Sequence, residues 1–202
     1  MERNGGGPEV KKEELEKTFE EAGVIRGGHF LLSSGLHSGI YFEKFRLLEN
    51  PNLTIQICQE IAKEFSRSNI SKIAGPTLGG VVVAYEVARQ LGKKWLVAER
   101  VEEGRDFRRG FDVEEGENIL VVDDILTTGT SALDTTAAVE RRKGKVVGVA
   151  VLVDRREEDT EFPFKLYSVY RSRAKNFSPH ECPLCKEGVK LEKPGSAQRQ
   201  LR

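Results

Sequence analysis

A continuous apolar run that ends in two acidic residues constrains the fold of this 202-residue chain most strongly. Residues 118–124 read NILVVDD, without the alternation of a half-buried strand, so they predict a strand that is buried on both faces. A short polar segment follows, and then residues 132–144 show a helical pattern that Gly144 ends. The pattern therefore predicts a strand–loop–helix unit, which is the building block of α/β sheets.

The rest of the chain alternates between predicted strands and helices. The predicted strands are residues 72–75, 93–100, 146–155 and 164–170, and the predicted helices are residues 10–22, 53–65 and 81–91. Two further short strands flank a turn-rich loop in residues 27–48, and residues 101–117 are predicted to be a charged loop. This alternation predicts a doubly wound, mostly parallel sheet.

The same patterns predict the domain organisation. Residues 1–9 are rich in glycine and are predicted to form a disordered tail. Residues 10–175 then form one domain, in which about residues 10–48 build a small N-terminal hood over the sheet. Residues 176–202 are interpreted as a C-terminal extension that contains a Cys-x-x-Cys pair.

Charge and hydropathy exclude several classes of protein. The 32 basic and 32 acidic residues balance, so no general attraction to nucleic acid or to an anionic membrane is expected. No apolar stretch is long enough to cross a membrane, and no apolar run follows the charged N-terminus. We therefore expect a cytoplasmic protein in which any anion site is local.

Three polar or glycine-rich segments follow predicted strands: residues 75–80, 123–131 and 154–157. In open α/β sheets, ligands bind beyond the carboxyl ends of the strands. We therefore expect these three segments to line one binding site at one edge of the sheet.

The segment after the central apolar strand has the composition of a phosphate site. Its hydroxyl groups and the unpaired N–H groups at the start of the following helix can donate to a phosphate, and glycine allows close approach. The residues concerned are Thr127, Thr128, Gly129, Thr130 and Ser131. No lysine is needed in such a site.

Asp123 and Asp124 precede this segment and suit a different part of a ligand. Carboxylates repel phosphate but accept hydrogen bonds from ribose hydroxyls, and they can hold a hydrated Mg²⁺ indirectly. The alternative is that both acids only cap the next turn. The apolar strand before them and the Thr-Gly-Ser loop after them favour the ligand site.

The segment ILVVDDILTTGTS resembles the phosphoribosyl pyrophosphate (PRPP) motif of type I phosphoribosyltransferases. The resemblance implies that Asp123 and Asp124 bind the ribose hydroxyls and that the loop binds the 5-phosphate. The implied PRPP-binding residues are Asp123, Asp124, Ile125, Leu126, Thr127, Thr128, Gly129, Thr130, Ser131, Gly79, Gly80 and Arg100. No Gly-Lys-Ser/Thr sequence follows, so a nucleotide-hydrolysing P-loop is disfavoured.

Three further segments resemble orotate phosphoribosyltransferases: GGHFLLSSGLHSGIYFEK, DRRE, and ECPLCKEG followed by KPGS. An arginine matches a carboxylate such as that of orotate through two parallel hydrogen bonds. The implied orotate-binding residues are Ser33, Tyr41, Phe42, Thr127 and Arg155. The alternatives are that Arg155 pairs with acidic neighbours and that the two aromatic residues belong to the core.

The segment ERVEEGRDFRRGF departs from the better-known branch of this family, because it has neither lysine nor histidine. Arg100, Arg105, Arg108 and Arg109 can replace that positive charge, although an ordinary solvated loop is the alternative. We predict that Arg100, Arg108, Arg109 and Asp124 are the catalytic residues. The resemblance also implies a homodimer and Mg²⁺ that is bound through PRPP and water.

The implied reaction joins orotate to PRPP and releases pyrophosphate. One rival is a phosphoribosyltransferase for uracil or a purine, which needs no arginine for a carboxylate. Another is a PRPP-sensing transcription regulator, which needs a basic DNA-binding domain. A fused decarboxylase needs a barrel domain for which this chain is too short.

The three cysteines receive no catalytic role. Cys58 lies in a helical pattern and is interpreted as a core residue. Cys182 and Cys185, with His180 just upstream, supply half of a structural zinc site, and no second Cys-x-x-Cys pair exists. We interpret them as a structural turn and assign no metal ligand, with zinc and a disulfide as the alternatives.

Overall fold

The computed structural model describes residues 12–32, 34–156, 161–172 and 174–194. Its helices are α1 Lys12–Glu21, α2 Lys44–Leu48, α3 Pro51–Glu64, α4 Gly79–Leu91, α5 Thr130–Arg141 and α6 Pro183–Lys186. Its strands are β1 Ile25–Leu31, β2 His37–Phe42, β3 Lys72–Pro76, β4 Lys94–Arg100, β5 Arg105–Phe107, β6 Asn118–Leu126, β7 Lys145–Asp154, β8 Leu166–Arg171 and β9 Asn176–Phe177.

A six-stranded sheet in the order β5-β4-β3-β6-β7-β8 forms the centre of the molecule. Its strands pair in parallel except for β5, which pairs antiparallel with β4 at one edge. Strand β8, which corresponds to the predicted strand at residues 164–170, lies at the other edge. The predicted doubly wound, mostly parallel sheet is confirmed.

The apolar run of β6 is continuous because its two faces belong to two different cores. Leu120 and Val122 pack in the cluster that also contains apolar residues of α1, α3 and α4. Ile119 and Val121 pack in the second cluster, with apolar residues of α5. Since successive side chains of a strand point to opposite faces, every residue of the run is buried.

A second sheet, in the order β1-β2-β9, forms the hood. Both of its strand pairs are antiparallel. Strand β9 comes from the segment interpreted as a C-terminal extension, and Glu192 forms a further backbone bridge with Phe30 of β1. The hood is therefore built from both ends of the chain and is not confined to residues 10–48.

The prediction that residues 101–117 form a loop is wrong for part of the segment, because β5 lies within it. Arg105 and Phe107 of β5 are buried, whereas Asp106 between them is partly exposed. This alternation is that of a short edge strand. The sequence pattern did not predict β5, because the strand has only three residues and its neighbours are charged.

Strand β6 also extends two residues beyond the predicted strand end at Asp124. Ile125 pairs with Val153 and Leu126 pairs with Asp154 of β7, so the following loop comprises only residues 127–129. Helix α5 accordingly begins at Thr130, inside the predicted phosphate segment.

Residues 1–9, predicted as a disordered tail, lie outside the described residues. Among the residues that the structure describes, no helix combines the length and the apolar character needed to cross a membrane.

Candidate active site

Asp123 and Asp124 lie near the carboxyl end of β6 and are only 6% and 4% exposed. Asp123 Oδ1 accepts a hydrogen bond of 2.8 Å from the backbone N–H of Asp124. Asp124 Oδ1 accepts one of 2.6 Å from the N–H of Ile125. Asp124 Oδ2 is buried and accepts no hydrogen bond from any described residue. The protein therefore leaves the hydrogen-bonding capacity of this oxygen unused, although Lys44 Nζ lies 2.9 Å from it.

The two carboxylates influence each other's protonation. Burial, and after it the charge of Asp124, raise the pKa of Asp123 to about 7. Two positive groups oppose this shift, Lys44 and Arg105. Since two adjacent buried carboxylates resist being ionised together, Asp123 holds its proton more tightly than an isolated carboxyl group does.

Lys44 is the positive group in contact with the pair. Its Nζ lies 2.9 Å from Asp124 Oδ2, without the alignment of a hydrogen bond, and its side chain is 37% exposed. Lys44 is the last residue of the hood segment that resembles the orotate enzymes, but no sequence pattern predicts its contact with Asp124. It joins the hood to the carboxylates.

The glycines after β3 allow α4 to begin directly against the carboxylates. A Cβ atom on Gly79 would lie 1.7 Å from Asp124 Oδ2, and one on Gly80 would lie 2.9 Å from Asp123 Oδ1. No side chain fits at either position without displacing the acids. The structure therefore brings residues 75–80 and 123–131 together. The third predicted segment begins beside them, because Asp154 pairs with Leu126 and the N–H of Arg155 donates to the Leu126 carbonyl.

The loop of residues 127–129 is open to solvent on its hydroxyl side. Thr127, Thr128 and Thr130 are exposed, and the hydroxyls of Thr128 and Thr130 lie 2.9 Å apart. Gly129 has a φ of +82°, a conformation that glycine adopts readily, and it precedes the first residue of α5. A helix start with exposed hydroxyls is suited to an anion.

Ile125 and Leu126, which were predicted to bind PRPP, belong to strand β6. Leu126 is 1% exposed and packs in the core beside α5, and its carbonyl accepts a 2.8 Å hydrogen bond from the N–H of Arg155. Ile125 is partly buried and packs against the other core. Their side chains pack against the two cores and anchor the strand that carries the acids.

Arg105 holds the loops of the site together. Its Nη1 donates to Thr77 Oγ1 at 3.1 Å and to the Ala98 carbonyl at 3.0 Å. Its Nη2 donates to the Thr77 carbonyl at 3.3 Å and to Ser131 Oγ at 3.2 Å. Burial lowers the pKa of this guanidinium. One arginine thus links the segment after β3 with the start of α5.

The other arginines of this region lie on the surface of the β4–β5 hairpin. Arg100 ends β4 and is exposed, as is Arg108. The Nε of Arg109 lies 2.6 Å from Glu99 Oε1. The sequence argument included Arg105 only as one of four loop charges, and the structure gives it the buried position.

Arg155, at the end of β7, lies over an aromatic ring of the hood. Its guanidinium carbon is 5.1 Å from the centre of the Phe42 ring, and its Nη2 lies 3.5 Å from the carbonyl of Ile40. Burial lowers the pKa of Arg155. Asp154 pairs with Arg156 instead, at 3.0 Å. No carboxylate of a described residue lies within ion-pair distance of Arg155.

The aromatic residues beside Arg155 differ from each other. Phe42 is 4% exposed and belongs to the core, in agreement with the alternative considered for it. Tyr41 is partly exposed and packs against Phe30, and burial raises its pKa. Ser33 lies outside the described residues.

Comparisons with known proteins agree with this geometry. A family model of the phosphoribosyl transferase domain matches residues 46–180. The orotate phosphoribosyltransferase of Thermoanaerobacter sp. strain X514 is 43% identical over 187 residues, which are 93% of this chain and 98% of that protein. That of Caldicellulosiruptor bescii is 40% identical over 190 residues, 94% of this chain and 100% of that protein.

A solved structure extends the comparison to the fold. The crystal structure of orotate phosphoribosyltransferase from Aeropyrum pernix matches with a TM-score of 0.64 and 28% identity, over 78% of this chain and 93% of that one.

The fold and the carboxylate–threonine loop define a phosphoribosyltransferase, and the domain match covers both. Within that class, the similarity over nearly the full length of the relatives is decisive. The chain belongs to the orotate phosphoribosyltransferase family.

Proposed function

We propose that the chain transfers the 5-phosphoribosyl group of PRPP to orotate. The products are orotidine 5-monophosphate and pyrophosphate, and the reaction belongs to pyrimidine nucleotide biosynthesis. The observation that supports this most directly is the pair of buried carboxylates, Asp123 and Asp124, next to an exposed threonine loop at the start of α5. Ribose hydroxyls can donate to the carboxylates, and a phosphate can accept from the hydroxyls and the helix start.

The carboxylates and the loop divide the ribose 5-phosphate between them. Asp123 and Asp124 accept hydrogen bonds from the 2- and 3-hydroxyls, because they are acceptors that are held rigidly by the backbone. The hydroxyls of Thr127, Thr128 and Thr130 bind the 5-phosphate together with the first N–H groups of α5. Neither half of the ligand is then placed beside a group of the same charge.

The site also fits Mg²⁺ that is carried by PRPP. Asp124 Oδ2 accepts no hydrogen bond from a described residue, and this hard oxygen can accept from a water of the hydrated ion. When bound, the ion neutralises charge that develops on the leaving pyrophosphate. The closeness of Lys44 limits direct coordination, so we propose contact through water.

Arg155 selects the base. It is partly buried, it has no carboxylate partner among the described residues, and it faces the hood through Phe42. The carboxylate of orotate supplies that partner, and a charge-assisted pair of this kind is worth about 1.5–3 kcal/mol. Tyr41, at the edge of the hood, packs on the planar ring.

In the reaction, the bond from C1 of the ribose to the pyrophosphate oxygen breaks and its electrons leave with pyrophosphate. Nitrogen 1 of orotate gives up its proton to water or to the leaving pyrophosphate, attacks C1 from the opposite face and forms the new bond, so the configuration at C1 inverts. The protein positions the two substrates and stabilises the leaving group. We propose that Arg100, with Arg108 and Arg109, supplies positive charge there and that the β4–β5 hairpin excludes water.

A homodimer completes the proposal. The α4 surface beside the site exposes three apolar side chains at helical spacing, Leu78, Val82 and Tyr85, which are 68%, 40% and 52% exposed. A second copy of the chain would cover this stripe and bring its own hairpin arginines near the site. We also propose a cytoplasmic location and no nucleic-acid or membrane partner, as the balanced charge suggests.

Product formation from PRPP and Mg²⁺, with orotate and uracil compared side by side, tests this function. A site that pairs with the carboxylate rejects uracil by a large factor, roughly 10⁴. Reaction with orotate alone supports the proposal. Preferred reaction with uracil or a purine overturns the base assignment, and PRPP binding without any transfer supports the rival regulatory function.

A further inference from the structure

Four side chains with nitrogen or sulfur ligand atoms meet where the C-terminal segment packs against the hood. All four ligand atoms lie within 4.8 Å of one another, and they belong to His29, His37, Cys182 and Cys185. Cys182 and both histidines are at most 5% exposed, whereas Cys185 is exposed. This cluster is separate from the carboxylates and from Arg155.

The distances within the cluster are close to those of a tetrahedral zinc site. Cys182 Sγ is 3.4 Å from His29 Nε2, and Cys185 Sγ is 3.7 Å from His29 Nε2 and 3.3 Å from His37 Nδ1. Bonds of the usual Zn–S and Zn–N lengths place the ligand atoms of a tetrahedron about 3.3–3.8 Å apart. The two histidine nitrogens, at 2.9 Å, are somewhat closer than that.

The backbone fixes the tautomer of one histidine. His29 Nδ1 lies 2.8 Å from the carbonyl of Val189, which can only accept, so Nδ1 carries the proton. His29 Nε2 then presents a lone pair to the cluster. Metal-binding histidines commonly donate their other ring N–H in this way, which orients the ring and raises its basicity.

We propose a tetrahedral zinc site that fastens the C-terminal segment to the hood, with four ligands: His29, His37, Cys182 and Cys185. Two thiolates and two imidazoles are a ligand set that structural Zn²⁺ prefers, and they fill all four positions. The site is structural, since no position stays open for a substrate. It differs from the sequence expectation, which assigned no metal ligand.

The position of the cluster explains what the ion does. Histidines from β1 and β2 meet cysteines that lie more than 140 residues later in the chain. Around them, the N–H of Glu192 donates to the His29 carbonyl at 2.7 Å, and the N–H of Leu31 donates to the Glu192 carbonyl at 2.9 Å. A three-stranded sheet has a small core, and a metal adds the stability that such a unit lacks.

Metal analysis of untagged, chelator-free protein tests the site. We expect about one zinc per chain, lost in Cys182→Ser and His37→Gln. The matched control is His180→Ala, because His180 is exposed, lies two residues before Cys182 and is outside the cluster. Absence of bound zinc, even after Zn²⁺ is added in competition with a chromogenic chelator, would overturn the proposal. Zinc retained by both ligand variants would overturn it as well.

Replacement of the metal in the wild-type protein keeps the test valid if the variants do not fold. Co²⁺ added after chelation should give thiolate charge-transfer and tetrahedral ligand-field bands. A spectrum of octahedral Co²⁺ would contradict the ligand set, and so would a disulfide between the two cysteines in the freshly purified protein. On metal removal, amide hydrogen exchange should accelerate in residues 25–42 and 176–192, while β6 and β7 stay protected. Uniform acceleration over the whole chain would contradict a local fastening role.

Discussion

The two clusters of functional side chains in this molecule are built in opposite ways. At the sheet edge, Asp123, Asp124 and the threonines of the next turn are neighbours in the sequence, and β6 and α5 position them directly. In the hood, His29 and Cys182 meet across 153 positions. The geometry of a local motif follows from its own secondary structure. The geometry of residues that are distant in the sequence depends on the complete fold.

This difference explains which parts of the active site were recognisable. The carboxylate–threonine segment needs only a buried strand and a helix start, and both follow from the apolar pattern. Arg105 and Lys44 reach the site from the β4–β5 hairpin and the hood, and neither position follows from local composition. Substitutions in the carboxylate–threonine segment and in the residues that reach the site from other elements should therefore have different effects.

The largest effect is expected for Arg105→Met. The substitution removes four hydrogen bonds: two to Thr77 after β3, one to the Ala98 carbonyl of β4 and one to Ser131 at the start of α5. Misplacement of such loops by about 1 Å costs roughly 10²-fold in turnover. Steady-state kinetics should show the loss mainly in kcat, with partial recovery in Arg105→Lys. Arg67→Met, on the exposed turn after α3, is the matched control. Equal effects of both substitutions would remove Arg105 from the organisation of the site.

The next effect is expected for Arg155→Ala, because this arginine pairs with the orotate carboxylate in our proposal. Loss of a charge-assisted contact should weaken orotate by about 1.5–3 kcal/mol and leave PRPP binding unchanged. Separate titrations with orotate and PRPP measure the two affinities. If both affinities fall equally, the substitution has damaged the fold, and Arg155 is not shown to select the base.

A pH dependence of stability is expected from Asp123. Its pKa in the folded protein is about 7, raised by burial and by Asp124 from an ordinary value of 3.8. The folded state therefore holds this proton more tightly, and the resulting stabilisation is complete below about pH 4 and is lost as pH rises to about 7. Denaturant unfolding of wild type and Asp123→Asn should diverge with a slope of at most about 1.4 kcal/mol per pH unit. Parallel pH profiles would show that Asp123 ionises normally.

The smallest effect is expected for the stability of Arg109→Ala. Arg109 pairs with Glu99 on the surface of the hairpin, with its side chain 77% exposed. Exposed pairs contribute little to stability because solvent screens them, so the free energy of unfolding should barely change. A clear loss of stability would mean that the hairpin depends on this pair. A large loss of turnover with stability intact would support the predicted catalytic role of Arg109.

The sequence predicted the central sheet and the strand–loop–helix unit that carries the two acids, because both follow from runs of adjacent residues. It missed β5, whose three residues are too few to show periodicity among charges. The sequence pattern also placed the start of the loop at Ile125. Two adjacent acidic residues are typical of a strand end, whereas β6 continues for two residues beyond them. The four-residue cluster was missed because it contains no second Cys-x-x-Cys pair. Its other two ligands are single histidines of β1 and β2, far from the cysteines in the sequence.

Binding of ribose 5-phosphate and of 2-deoxyribose 5-phosphate, compared by calorimetry in the same buffer, tests the central claim most directly. If the buried carboxylates accept hydrogen bonds from the ribose hydroxyls, the deoxy sugar should bind roughly tenfold or more weakly, as expected for loss of a charge-assisted hydrogen bond. In Asp123→Asn and Asp124→Asn this difference should shrink. Equal affinity of the wild-type protein for both sugars would contradict the role assigned to the carboxylate pair.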